Sequence, residues 1–464
     1  MPVLTLAMAG MLFIQLHRTI HDVDIFWQLK LGEITLAHGL PANEPFLAGA
    51  ETEPLAVVAW LAQVVYAFTR QLGGWTLLWL VDALVWFGGF VIVARHTARR
   101  MTNDWPVALG LWVGWFAALV SASVRPQSFA ALAFGLLIVL MRSNISTIRT
   151  ALLGGALLVV WQNLHPSVVV GGLVIGAAVI GDGIQYLRKK SPSPPWRLIA
   201  LLPLAALAIL ATPAGADILR VSRLNAQLSL YLEVAEWMPM TWQISEFGRP
   251  FAWMSLLMVV AGVLVRGRRV RASTLAIVVA LTAAMLYSHR FVLFWGMAVI
   301  PLFCELFGTE GQPAPPRSRF RRPFAVLAIV AAIGIPCAFH PAPFADYYPF
   351  TGVQQLRESG VRGTIFTNFY WGGLVAEAMN PDARVTHDGR YYLKSIADWD
   401  RYFEETNRAT AATLERILAR DRPSAFFLRP GADDDLIALL QRDPRWRTLH
   451  ADANCFVSVP VRER

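Results

Sequence analysis

Apolar runs of roughly twenty residues recur along the first 340 positions of this 464-residue chain, and clusters of arginine and lysine fill alternate gaps between them. A helix that crosses the hydrocarbon core needs about 20 mostly apolar residues, about 17 at the lower end. By that measure the candidate spans are 2–17, 75–94, 105–122, 127–141, 150–164, 167–187, 198–212, 250–265, 272–287, 290–307 and 323–339. Charged residues make up 16% of the chain, against about 25% in an ordinary soluble domain. The first run has no basic stretch before it and no small-residue cleavage site after it, so it reads as a retained helix. The expected architecture is an α-helical polytopic membrane protein of about 11 transmembrane helices, followed by a small soluble α/β domain. The boundaries are 1–340 for the membrane part, with a first outer loop at 18–74, and 341–464 for the C-terminal domain.

Charge orients the helices. Before residue 341 there are 25 Lys/Arg and 15 Asp/Glu, and from 341 onward 16 and 17. Seventeen of the 25 lie in five alternate loops, Arg95–Arg100, Arg142–Arg149, Arg188–Arg197, Arg266–Arg271 and Arg317–Arg322. Short loops rich in Lys and Arg face the cytosol. The 18–74 loop, the turns near 125, 165 and 289, the 213–249 loop and the C-terminal domain then lie on the outer side, which in a bacterial inner membrane is the periplasm. Basic clusters set between apolar spans argue against nucleic acid as a partner. The three cysteines, Cys304, Cys337 and Cys455, show no spacing of a zinc site or a disulfide framework.

The first outer loop concentrates the polar chemistry. Residues 25–37 read as a helix lying on the membrane, stopped by Gly39 and Pro41. Residues 55–70 read as a second, interfacial helix, because a further span there would reverse every later loop. Asp22 and Asp24, two apart in an extended segment, would point to one side. There they could share a divalent metal ion, or one could serve as general base while the other tunes it; the structural alternative is a helix cap and a solvated carboxylate. Other polar groups collect on the same side: Arg125-Pro-Gln127, Asn163-Leu-His165, Arg220 and Arg223, Glu236-Trp237, and His289-Arg290. Outer arginines suit a phosphate or diphosphate, which guanidinium binds in a bidentate way. For Arg18, Arg70 and Arg249 contact with ordinary lipid phosphates is the preferred alternative. Asp82, inside a span, is expected to pair with an arginine.

These motifs carry a resemblance. Asp22-x-Asp24-Ile-Phe-Trp27 through Glu33, His38-Gly-Leu-Pro41, Glu44-Pro-Phe46 and Trp60-Leu-Ala-Gln63, with Arg125-Pro-Gln127, Asn163-x-His165, Glu236-Trp237, Trp371-Gly-Gly373 and Asp388-Gly-Arg390, resemble a bacterial branch of the GT-C glycosyltransferase superfamily. The resemblance covers essentially the whole chain. It implies a transferase that takes a sugar from a polyprenyl-phosphate-type donor at the outer face. Asp22 or Asp24 would then be the base or metal ligand, and Arg125 and Arg290, with Arg220 and Arg223, would hold the donor phosphate. His165, Asn163, Glu236, His289 and Trp27 become candidate substrate contacts. Implied partners are the lipid-linked sugar, membrane lipid, and a glycan, lipid or protein acceptor. Pro166 departs from the small residue the pattern leads one to expect after the histidine, which leaves the role of His165 open.

From 346 onward helices and strands alternate, which argues a mostly parallel sheet with covered faces. The expected strands are 362–367, 383–387, 424–428, 446–450 and 455–459. Trp371-Gly-Gly373 reads as a tight strand-to-helix turn, and Asp388-Gly-Arg390 as a turn with an internal ion pair, the alternative being acceptor or glycan binding at the mouth of the membrane cavity. Two other functions fit the same composition: a transporter or flippase of lipid-linked glycans, and a non-enzymatic membrane scaffold. A transporter would carry charges deep in several spans, whereas here the polar groups crowd one face.

Overall fold

The computed structural model describes residues 2–246, 248–311, 321–339 and 344–461. The basic cluster at 317–320 lies outside them. Helices α1 (Pro2–Gln15), α2 (Ile25–His38), α3 (Trp60–Ala98), α4 (Trp105–Ala118) and α5 (Gln127–Arg142) open the chain. Then come α6 (Thr147–Leu164), α7 (Val168–Leu187), α8 (Trp196–Ile199), α9 (Leu201–Leu210) and α10 (Asp217–Tyr231). The membrane part closes with α11 (Arg249–Arg266), α12 (Ala272–Tyr287), α13 (Val292–Phe307) and α14 (Arg321–Phe339). Every expected apolar run is helical. Four described helices or helix extensions, Trp60–Ala98, Val168–Leu187, Arg249–Arg269 and His289–Phe307, are long and apolar enough to cross a membrane; the other apolar helices are shorter.

Large apolar side chains such as Leu187, Leu264 and Val265 stand exposed on the bundle. An apolar solvent removes the hydrophobic drive between helices, so contact depends on close backbone approach at small residues. Gly114 of α4 and Gly296 of α13 meet in this way: a Cβ added at Gly114 would lie 1.9 Å from the Gly296 carbonyl oxygen. Gly89 of α3 does the same against α5, where an added Cβ would lie 2.3 Å from the Ala131 carbonyl oxygen. Helix α3 breaks at Gly73 and Gly74, whose backbone angles are not helical. Its first part begins at Trp60, not 55, and packs against α2, where Gly32 admits the Gln63 carbonyl.

The C-terminal part holds α15 (Phe350–Glu358), β1 (Gly363–Thr367), α16 (Phe369–Met379), β2 (Ala383–Val385), α17 (Ile396–Asn407), α18 (Ala411–Asp421), β3 (Ala425–Leu428), α19 (Asp434–Arg442), β4 (Trp446–Ala451) and β5 (Phe456–Pro460). Strand order is β2-β1-β3-β5-β4; the first three are parallel, and β5 and β4 run antiparallel. One apolar cluster runs without a break from Leu4 in α1 to Val459 in β5, so bundle and sheet share a core. A second fills the opposite face with Phe366, Trp399, Phe426 and Phe456, closed by Leu228 of α10.

Several local expectations are corrected. Gly372 and Gly373 lie inside α16 and do not form a turn, because Asn368 caps that helix by accepting from the Tyr370 N–H. Their use is close approach: a Cβ at Gly372 would sit 1.9 Å from the His387 carbonyl, and one at Gly373 would sit 2.9 Å from the Trp27 ring. Asp82 pairs with the Tyr66 hydroxyl rather than with an arginine. Arg70 is held by Glu33 and by Glu377 at 2.8 Å, inside the protein and not at a lipid headgroup. Arg249 is fully buried and donates to the carbonyls of Ala235 and Pro239. Arg18 is largely covered too, its carbonyl accepting from the Trp79 indole.

The loop between α2 and α3 is sewn to the C-terminal domain. Ala48 N–H donates to Val385 C=O and Val385 N–H to Phe46 C=O, each at 2.9 Å, which lengthens the sheet beyond β2. Below this seam Arg390 is buried between two carboxylates. It reaches Glu44 at 2.6 Å and Asp388 at 2.5 Å, and all three side chains are at most 2% exposed. The ion pair expected within Asp388-Gly-Arg390 is therefore present, with Glu44 as a third member.

Candidate active site

Asp22 and Asp24 stand in the short segment between α1 and α2. It is a turn rather than an extended stretch: Asp22 Oδ1 accepts from the Asp24 N–H at 3.0 Å, and Asp24 has helical backbone angles. Asp24 sits at the head of α2 without capping it, and Oδ1 instead accepts from the Trp27 indole at 3.0 Å. Both carboxylates face a cavity of about 370 Å³. Its walls come from five stretches distant in sequence: 21–24, the turn at Arg125, the end of α10 with Glu236 and Trp237 beyond it, His289 and Arg290, and Tyr370, Gly389 and Tyr391 of the C-terminal domain.

The charges are unevenly paired. Arg125 bridges Asp22 at 3.3 Å and Glu236 at 2.7 Å. The Tyr66 hydroxyl touches the Arg125 carbonyl at 2.8 Å, which ties that turn to Asp82. Burial by itself would raise the Glu236 carboxyl, but Arg125 and Arg290 outweigh it and pull the group down to about 2. Arg290 lies over the Trp237 ring, 3.8 Å from its centroid, and its N–H donates to the Glu236 carbonyl. Its guanidinium makes no ion pair within 4 Å among the described residues, so it is the more available cation for an incoming anion. His289 is 3% exposed, and its Nε2 has no hydrogen-bond partner among the described residues.

Asp24 differs from its neighbour. Burial, then the nearby charge of Asp22, pushes its carboxyl well above the usual carboxylate range, and Asp388 adds to the effect. The C-terminal domain presses directly on it: a Cβ at Gly389 would lie 2.1 Å from Asp24 Oδ1, so only glycine lets that turn close. A carboxyl tuned toward neutrality is matched to proton transfer at ordinary pH.

Of the residues singled out from sequence, Asp22, Asp24, Arg125, Glu236, His289 and Arg290 converge on this cavity. Arg220 and Arg223 do not: both stand exposed on α10, where Arg220 pairs with Asp217 one turn earlier. Trp27 supports Asp24 from behind and packs against Arg390 without reaching the cavity. Asn163 is spent on structure, accepting from the Trp60 indole at 2.6 Å and donating to the Val159 and Ala211 carbonyls. His165 hydrogen-bonds Ser167 through Nδ1; burial, with Arg290 and Arg125 near, lowers it to about 3, so the ring is neutral. Tyr391 was not foreseen as part of the site, and Gly389 only as the middle of a turn whose alternative reading was binding at the cavity mouth. The Asp388-Gly-Arg390 turn was the only signal, and nothing in its spacing says that it meets residue 24.

The two carboxylates do not form a ready metal centre. Among the described residues no third histidine, cysteine or carboxylate ligand atom joins them in a compact set. The positive charge beside Asp22 is Arg125.

A helical bundle with an apolar exterior, a carboxylate pair after the first helix, two further helices in the loop that follows, and a C-terminal α/β domain closing the cavity together make up a fold already seen in solved structures. The likeness is to oligosaccharyltransferase of Archaeoglobus fulgidus. Its structure tethered to an acceptor peptide containing the NVT sequon superposes with a TM-score of 0.54 at 12% identity, covering 91% of this chain and 68% of that one. The same enzyme, AglB, with an inhibitory peptide and a dolichol-phosphate gives 0.53 at 10% identity, covering 92% and 69%. Identity this low establishes a shared fold. No family model matches the sequence, and no curated protein matches it.

Proposed function

We propose that this protein is a membrane glycosyltransferase that moves a sugar from a polyprenyl-phosphate-type donor to an acceptor on the periplasmic face of a bacterial inner membrane. In this reading residues 1–340 form the membrane part, with about eleven spans, and 341–464 the periplasmic domain. One observation carries it: a raised carboxyl, Asp24, and a cation with no ion pair among the described residues, Arg290, share a cavity with an arginine held between two acids. The archaeal neighbour's complex with a dolichol-phosphate supports a lipid-phosphate donor by analogy of fold.

In the reaction, the acceptor hydroxyl loses its proton to Asp24 as its oxygen attacks the anomeric carbon. The bond from that carbon to the phosphate oxygen breaks, and the lipid phosphate leaves with the electron pair. Arg290 takes the developing negative charge, and Arg125 joins it by exchanging part of its contact with Asp22 or Glu236. Donors aimed at charge that grows in the transition state lower the barrier more than they tighten substrate binding.

The test is transfer of labelled sugar from a polyprenyl-phosphate donor in proteoliposomes, at matched levels of folded protein. Asp24→Asn is expected to lower the rate by about 100-fold or more, and Asp22→Asn by less. Wild-type rates from both variants would refute the reading.

A further inference from the structure

The β4–β5 hairpin carries a second constellation, far in sequence from the cavity. His450, Asp452 and Cys455 bring a nitrogen, a carboxylate oxygen and a sulfur within 4.8 Å of one another, the one such cluster among the described residues. A β-bulge builds it. Thr448 pairs with Ser458, but the next partner of β5, Val457, faces His450, so Leu449 is extra. Without that extra residue His450 would oppose Phe456 and point to the other face of the sheet, where Phe456 packs. With it, His450 shares a face with Val457 and therefore with Cys455 two residues away.

The rest of the pocket agrees. Gly352 of α15 is its roof: a Cβ there would lie 2.3 Å from Cys455 Sγ and 3.4 Å from His450 Cδ2. Asp452 is fixed by accepting from the Asn454 and Cys455 N–H groups, both at 2.8 Å, through Oδ1. Oδ2 is left to meet His450 Nε2 at 2.9 Å. A carboxylate set between an imidazole nitrogen and a thiol is the arrangement a small dication completes.

We infer that His450, Asp452 and Cys455 form a zinc-binding site with three protein ligands. Thiolate, imidazole and carboxylate together favour Zn²⁺ over the hard cations that take oxygen alone. Zinc–ligand bonds of about 2.0–2.3 Å put ligand atoms roughly 3.3–3.8 Å apart, so the hairpin tightens by about 1 Å. Binding releases the Cys455 proton to solvent, shifts the His450 ring proton from Nε2 to Nδ1 by exchange with water, and replaces the His450–Asp452 hydrogen bond with two metal bonds; water takes the fourth position. The ion would lock a turn that already grips two other parts of the chain. Asn454 donates to the Asp346 carbonyl and accepts from the Trp371 indole, each at 3.1 Å. Trp371 stands next to Tyr370 of the cavity wall. The site does not depend on the proposed reaction.

The experiment uses the full-length protein in detergent, stripped with chelator under reducing conditions and titrated with Co²⁺ and then Zn²⁺. The expected result is a thiolate-to-cobalt charge-transfer band in the near ultraviolet that saturates at one ion per chain and is displaced by zinc. Cys455→Ser should abolish the band. His450→Ala, at a partly exposed position that should tolerate the change, should weaken affinity at least about tenfold, and Asp24→Asn should leave it unchanged. Absence of the band in the wild type, or an unaltered titration in His450→Ala, would overturn the assignment even if Cys455→Ser fails to fold.

Discussion

Asp22 and Asp24 are two positions apart and differ in what surrounds them. Asp22 has an arginine; Asp24 has an indole and the backbone of another domain. Burial and the charge of Asp22 favour the protonated form of Asp24, so a base role requires that proton to leave. Transfer should therefore rise with pH through a limb well above the ordinary carboxylate range. Asp22→Asn removes one like charge and frees Arg125, and both changes stabilise the ionised form, so the limb should move to lower pH while the plateau falls. A pH–rate profile of the two proteins checks the sign, and the apparent value belongs to the pair rather than to one residue. Stability runs the other way: a folded-state carboxyl raised above its unfolded value loses stability as pH climbs from the unfolded value to the folded one. The candidates themselves were legible in sequence, because polar groups on one side of an apolar bundle stand out. Their partners were not. That Arg125 would bridge Asp22 and Glu236, and that Asn163 would be consumed by Trp60, depends on distances which hydropathy does not encode.

Among elements, the apolar runs and the alternating C-terminal pattern predict positions to within a few residues, and the strand expected at 424–428 is β3, Ala425–Leu428. Prediction failed where a residue type has two uses. Gly372 and Gly373 serve a helix pressed against a strand, and glycine in sequence reads as a turn as readily as a contact. The α4–α13 crossing shows the same use and is testable. Gly114→Ala puts a methyl group against the Gly296 carbonyl, whereas Gly10→Ala in α1 meets nothing within 4 Å. The first should destabilise by about 1–3 kcal/mol or more, seen as a lower melting temperature in detergent; the second should melt with the wild type.

At the scale of the whole molecule, bundle and C-terminal domain share one apolar core, and a small buried seam ties the loop after α2 to the sheet. Removing the Arg390 side chain strands Glu44 and Asp388 without a cation at a fully buried site. A broken buried pair costs about 3–5 kcal/mol, so Arg390→Ala should lower the melting temperature and open the 39–59 loop to protease, while Arg401→Ala, whose ion pair with Asp398 is partly exposed, should do neither. The seam also concerns time. Translation delivers Asp22 and Asp24 well before Tyr370, Gly389 and Tyr391, which finish the cavity around them and emerge some 350 residues later. A nascent chain therefore carries its two carboxylates through most of its synthesis with no cavity to hold them. On the proposed function, competence arrives only once residues 344–461 have been made and folded back on the segment after α1, so a chain cut short before them should be silent.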